Sequence, residues 1–219
     1  MIKSSSEKPP ARLLLRDAGP CSMIVRPDLV RVGFSARVEE PDSGKAVALF
    51  EAAFTALTRE LGAALPGSVV VMRGLEWQAD GKSKTRIGGG DGVPHATGHL
   101  EVPLADSMGY WPRARVLATL NILTHAAVTH GHARKPALEV AFGSPLLMVR
   151  DPEAHRAALI QRWLERVRQL ADLAEASHVC GSLQLRECSA PGPVTQHSIS
   201  LEETELRLSL DGPLTADLA

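Results

Sequence analysis

Aromatic side chains are scarce: Phe, Trp and Tyr together make up 4% of the 219 residues, with a single tyrosine. A surface that stacks unpaired bases needs several such rings, so a single-strand nucleic-acid binder is not expected. Charge of one sign is lacking too. Lys and Arg number 24 against 25 Asp and Glu, a net charge of −1, which gives no basic field to recruit nucleic acid or anionic membrane. Cysteine is limited to Cys21, Cys180 and Cys188, an odd count without C-x-x-C spacing. That excludes a disulfide framework and a zinc ribbon and leaves three reduced thiols as the expectation. Long apolar runs are missing. Leu13–Leu15 falls short of the roughly 7–15 residues of a secretory core, and nothing approaches the roughly 20 of a membrane helix. A cytoplasmic location without a membrane span is therefore expected, an envelope location following only if a leader once preceded Met1.

What is present is ordinary for a globular protein, 44% apolar and 22% charged. The chain is long enough for one large domain or two small ones. Residues 1–22 are polar, aperiodic and contain a Pro pair, so a flexible N-terminal tail is expected there, and a short C-terminal tail at 212–219. Val30, Val32, Phe34, Ala36 and Val38 alternate with Arg31, Gly33, Ser35 and Arg37, the period of a half-buried strand. Asp42 or Ser43 is placed to cap a helix over 44–65 whose stripe is Val47, Phe50, Phe54, Leu57, Leu61 and Leu65. Strands follow from Val69 to Trp77 and at Leu100–Leu104, where Pro103 points to an edge or a bulge.

A shorter helix starts at Trp111-Pro112 with Val116, Leu117, Leu120, Leu123 and Ala127 inward, and Leu138–Phe142 reads as a strand. The clearest helix spans 151–176: Asp151 is its N-cap, Pro152 its first residue, and Leu159, Trp163, Val167, Leu170 and Ala174 its buried stripe. Strands at Leu183–Leu185 and Thr204–Leu210 close the chain. The order β-α-β-β-α-β-α-β-β, with consecutive strands, predicts an α+β fold. Its antiparallel sheets pack against two long amphipathic helices and one shorter one.

Two stretches, IVRPDLVRVGFSARVEE with the following Ala-rich helix and FGSPLLMVRDPEAHRAALIQRWLERVRQLADLAEASHVCGSLQLREC with TELRLSL, carry a resemblance to the SIMPL-domain family. That family comprises mostly bacterial envelope proteins of unsettled role and a eukaryotic kinase-interacting member. The resemblance implies a single α/β domain over 23–211, in which the order strand–helix–two strands at 23–104 recurs at 137–211 as two pseudo-related halves would show it. It further implies self-association and no established catalytic residues.

Chemistry-bearing residues gather in few places. His125, His130 and His132 sit near a helix end, and His95 and His99 flank Thr97-Gly98 before a strand. Neither group has the spacing that fixes a metal geometry, and a polar helix terminus and a solvated loop are the plainer readings. KSKTRIGGGDG (82–92) matches neither phosphate-binding glycine pattern, so 79–94 is read as a long connection and a contact surface. No nucleophile elbow or paired-carboxylate arrangement is readable from spacing, and no catalytic, cofactor-binding or metal residue is assigned.

The expected function is thus a non-enzymatic, self-assembling scaffold or adaptor. Its homo-oligomer would form through open strand edges at Val30–Val38 or Thr204–Leu210 and the apolar run Ser144–Val149, with the N-terminal tail or the 79–94 loop offering a protein contact. The alternatives are a small-molecule or metal-binding protein using His95/His99 or His125/His130/His132, and a hydrolase whose site only folding would assemble.

Overall fold

The computed structural model describes residues 12–15, 21–40, 42–79, 92–133, 138–176, 183–187, 192–209 and 214–218. In chain order the elements are β1 (Arg12–Leu15), β2 (Ser22–Val25), β3 (Leu29–Val38), α1 (Ser43–Ala64), β4 (Val69–Ala79), β5 (Gly92–Pro103), α2 (Tyr110–His132), β6 (Leu138–Phe142), β7 (Leu146–Met148), a 3-10 turn (Pro152–His155), α3 (Arg156–Ala176), β8 (Leu183–Glu187), β9 (Val194–Ser198), β10 (Thr204–Leu208) and β11 (Leu214–Leu218). The fold is α+β with antiparallel sheets and three helices, as the patterns predicted. The helix expected to be short is 23 residues long.

These elements form two compact units where one domain over 23–211 was expected: Arg26–Arg150 with Ser198–Thr204, and Met1–Val25 with Asp151–His197 and Glu205–Ala219. The first unit completes its own sheet by residue 148, so nothing in it calls for the third helix. Its strands run β4-β5-β3-β6, with β7 also on β3, all antiparallel. Order β3-α1-β4-β5-α2-β6 with that adjacency is a split β-α-β, ferredoxin-like arrangement. Asp42 caps α1 by accepting from the Lys45 amide at 3.0 Å. Gly67, at φ +82°, makes the turn from α1 into β4, a conformation that costs glycine little.

One face of this sheet meets the helices. Val30, Val32, Phe34, Ala36 and Val38 pack with Phe50, Phe54, Leu57 and Leu61 of α1 and with Leu120 of α2, all buried. Phe34 and Phe54 stack with centroids 4.7 Å apart. Two sequence readings change here. Ala46 takes the buried place expected of Val47, which is 39% exposed. Pro103 closes β5 opposite Leu29, inside the sheet and not at its edge, because a strand's last residue gives up little by lacking an N–H.

The second unit carries α3 and two three-stranded sheets, β1-β11-β8 and β2-β10-β9. Asp151 does cap, accepting from the Ala154 amide at 3.2 Å, but the turn it starts is 3-10 before α3 begins. Leu159 and Trp163 are buried. Strands at Arg12–Leu15 and Leu214–Leu218 correct the two expected tails, since the short Leu13–Leu15 run pairs with β11. The Cys21 thiol donates to the Leu159 carbonyl at 2.8 Å; burial pushes its pKa up, against the lowering charges of Arg162 and Arg166. Such a thiol is inert. Cys180 and Cys188 lie outside the described residues, as do 80–91 of the expected loop.

Neither strand expected to offer an open edge does so. β3 lies between β5 and β6, and β10 lies between β2 and β9. Leu147 and Val149 of the apolar run are buried because β7 pairs with β3.

Candidate functional site

The registers of β3, β5 and β6 line up the second face of the first unit's sheet. Arg31 faces Glu101, Gly33 faces His99, Ser35 faces Thr97 and Arg37 faces His95, while Glu139 and Ala141 flank from β6. None of these positions is aromatic, so the stacking rings of RNA-binding four-stranded sheets are absent from them. At one end Glu101 binds Arg31 (Nη2 to Oε1, 2.7 Å) and His99 (Nε2 to Oε1, 3.0 Å). Burial raises the Glu101 pKa, but the hydrogen bond and charge of Arg31, and then His99, outweigh it and hold the carboxyl below its usual range. At the other end Arg37 binds Glu139 at 2.7 Å, a half-exposed pair worth little on its own.

The histidines divide differently from either sequence group. His99 is buried and committed to Glu101. His95 and His132 both line a cavity of about 280 Å³ with Ser35, Arg37 and Glu139. His130 instead lines a cavity of about 50 Å³ between α1 and α2 with Glu60, and His125 is exposed on α2. Among the described residues no three His, Cys, Asp or Glu side chains are grouped to hold a metal ion.

A cluster that the sequence reading missed fixes the start of α2. Arg113 is fully buried and donates from Nη1 to the carbonyls of Pro27 (2.8 Å) and Leu201 (3.3 Å), and from Nε to that of Met108 (3.1 Å). Its Nη2 finds no acceptor among the described residues. Burial lowers its pKa, as does neighbouring Arg26, against the raising charges of Glu202, Asp106 and Asp28. Arg26 donates to the carbonyls of Asp106 and Met108 and pairs with Glu202 at 2.8 Å. The two arginines staple Ser198–Thr204 to this unit.

An apolar concavity lies elsewhere, between α1 and β4. Val47, Phe50, Phe54, Met72, Leu75 and Ala96 line a groove of about 510 Å³ with Glu51 and Arg73 at its walls. A register shift between Met72 and Gly74 makes Arg73 an extra residue in β4 at this point, and such bulges re-aim side chains. Among the described residues β4 pairs only with β5, which makes it an edge of the sheet. Met72, Leu75 and Trp77 are 46%, 40% and 44% exposed. The alternation of Val69–Trp77 was legible as a strand, but nothing in it marked which strand would be last in the sheet.

No family model and no curated protein matches the chain. Among solved structures it is similar to a hydantoinase/carbamoylase family amidase from Burkholderia ambifaria, at 16% identity and TM-score 0.33, over 73% of this chain and 36% of the amidase. The chain thus spans about a third of that protein's length. It is also similar to an uncharacterized conserved protein from Listeria innocua (11% identity, TM-score 0.25, 85% of this chain and 90% of that one). A hydrolase from the same organism matches at 11% identity and TM-score 0.21, over 87% and 91% of the two chains. Likenesses this distant carry no argument about chemistry. Among the described residues no helix is long and apolar enough to cross a membrane.

Proposed function

We propose that the chain is a non-enzymatic, self-assembling scaffold or adaptor, the role that the SIMPL resemblance implies. The observation that carries this reading is β4: an edge strand with Met72, Leu75 and Trp77 exposed beside an apolar groove. Soluble chains seldom leave such a patch uncovered on a strand with free hydrogen-bonding groups. The strand holds no proline or lysine to discourage pairing. Light scattering through a micromolar dilution series tests it. A mass above the 23.4 kDa chain is expected, and a constant single-chain mass overturns the reading.

A second reading, a small-ligand or metal-binding protein, is favoured by one observation: His95 and His132, from different sequence groups, line the same cavity. Calorimetric titration with zinc is expected to show no stoichiometric binding, because two imidazoles without a grouped third ligand fix no tetrahedral site. One equivalent bound, and lost in His132→Ala, would put this reading first.

A further inference from the structure

We propose that the α1–β4 groove binds a free α-amino acid with a large apolar side chain, of the phenylalanine or leucine kind, as its zwitterion. The groove holds about 510 Å³, inside the roughly 300–1,000 Å³ of small-molecule sites. The inference goes beyond the scaffold reading and does not depend on it.

Two kinds of lining carry it. The floor is apolar and buried at Phe50, Phe54 and Ala96, while Val47, Met72 and Leu75 rise around it half-exposed. On α1 the lining runs from Val47 to Phe54, two helical turns or about 10 Å. That length suits a bulky side chain laid along the floor. Only two lining side chains are polar, Glu51 on α1 and Arg73 on β4, and they put opposite charges on opposite walls. A few polar groups set against an apolar floor are what fix a small ligand's orientation.

Neither charge is claimed within the protein. The positions three and four away from Glu51 along α1 are Val47, Ala48, Phe54 and Thr55, so the helix offers it no cation. Arg73 is the extra residue of the β4 bulge and has no partner residue on β5. Among the described residues no ion pair engages either side chain. A ligand that answers both must carry an ammonium and a carboxylate on an apolar body. In an α-amino acid the two groups stand on one carbon, so its head spans the groove from wall to wall and donates to Glu51 while accepting from Arg73. A simple carboxylate would answer Arg73 and leave Glu51 unmatched, and a simple amine would do the reverse.

Calorimetric titration of the full chain with phenylalanine tests this, beside phenylpropionate, which lacks the ammonium, and phenethylamine, which lacks the carboxylate. Expected are one phenylalanine bound per chain and affinities about tenfold or more lower for the two analogues, each having lost one charge-assisted contact. Arg73→Gln should weaken phenylalanine by a similar factor and leave phenethylamine as it was. Glu51→Gln should weaken phenylalanine and leave phenylpropionate no weaker. Both side chains are exposed, so both variants should keep the native unfolding midpoint. The proposal is overturned by the absence of saturable phenylalanine binding at millimolar concentration, by an analogue that binds as tightly as phenylalanine, or by affinities that neither substitution changes. None of these outcomes bears on the mass of the assembly, so the scaffold reading stands or falls separately.

Discussion

Glu101 is held ionised by Arg31 and His99, so its folded pKa lies below its unfolded value of about 4.3. A carboxyl depressed in this way contributes fully above the unfolded value and loses that contribution as pH falls through the lower folded one. Glu101→Gln should therefore be less stable than the native chain by about 1 kcal/mol at pH 7. The gap should close toward pH 3. Urea midpoints at both pH values check this, and an equal gap at both would assign the loss to packing instead. Arg113 gives a larger effect. Arg113→Ala strips donors from the carbonyls of Pro27, Met108 and Leu201, for an expected loss of about 3 kcal/mol in the same assay. Neither residue was singled out by pattern. An arginine in the first turn of a helix looks solvated in sequence, and Pro27 and the returning Leu201 reach it only in the fold. His95 and His132 line one cavity for a similar reason, being 37 positions apart, one on β5 and the other at the end of α2.

α1 and the turn leading into α3 were legible because each follows a capping aspartate, Asp42 or Asp151, and each helix buries a stripe of residues spaced three or four apart. α2 starts at Gly109 with no side-chain cap and was legible from its apolar spacing alone. Phe54 is the test of the α1 stripe: it is 7% exposed and stacked on Phe34. Phe54→Ala should cost about 3–5 kcal/mol, read from the denaturation midpoint. An unchanged midpoint would mean that the stripe does not face the core. Gly98 tests the sheet beneath it. A Cβ there would press on the Val71 carbonyl and the Phe34 ring, so Gly98→Ala should cost about 1–3 kcal/mol even though alanine suits a strand no worse than glycine. The strands read correctly were those whose apolar residues alternate with others, including the five-residue β6 (LEVAF), β8 (LQLRE) and β10 (TELRL). Of the strands that were missed, β1 (RLLL) and β7 (LLM) are unbroken apolar runs and β9 (VTQHS) is largely polar. Strand order was not legible at all, and with it went the identity of the exposed edge. Alternation says that a strand has one buried face and nothing about how many neighbours it has.

At the scale of the whole molecule, the second unit joins the two ends of the described chain: β1 pairs with β11, which pairs in turn with β8. Removing Leu214–Leu218 takes away the strand on which Arg12–Leu15 is registered. Hydrogen exchange should then show the amides of β1 and β8 losing protection together. Retained protection in β1 would mean that another segment holds it.

The same nesting governs how the protein emerges from the ribosome. The first unit is nearly complete once residue 150 has been made, and a split β-α-β of mostly nearby pairings can condense early. Its Arg113 and Arg26 must nevertheless wait some fifty further residues for the Leu201 carbonyl and the Glu202 carboxylate. Synthesis at roughly 5–20 residues per second makes that a pause of several seconds. During it a guanidinium destined for burial stays wet and the start of α2 stays loose. The nascent strand β1 waits longer still, unpaired and carrying three consecutive leucines. A chaperone that shelters short apolar segments would find its substrate there, in the time between the birth of the first strand and that of the last.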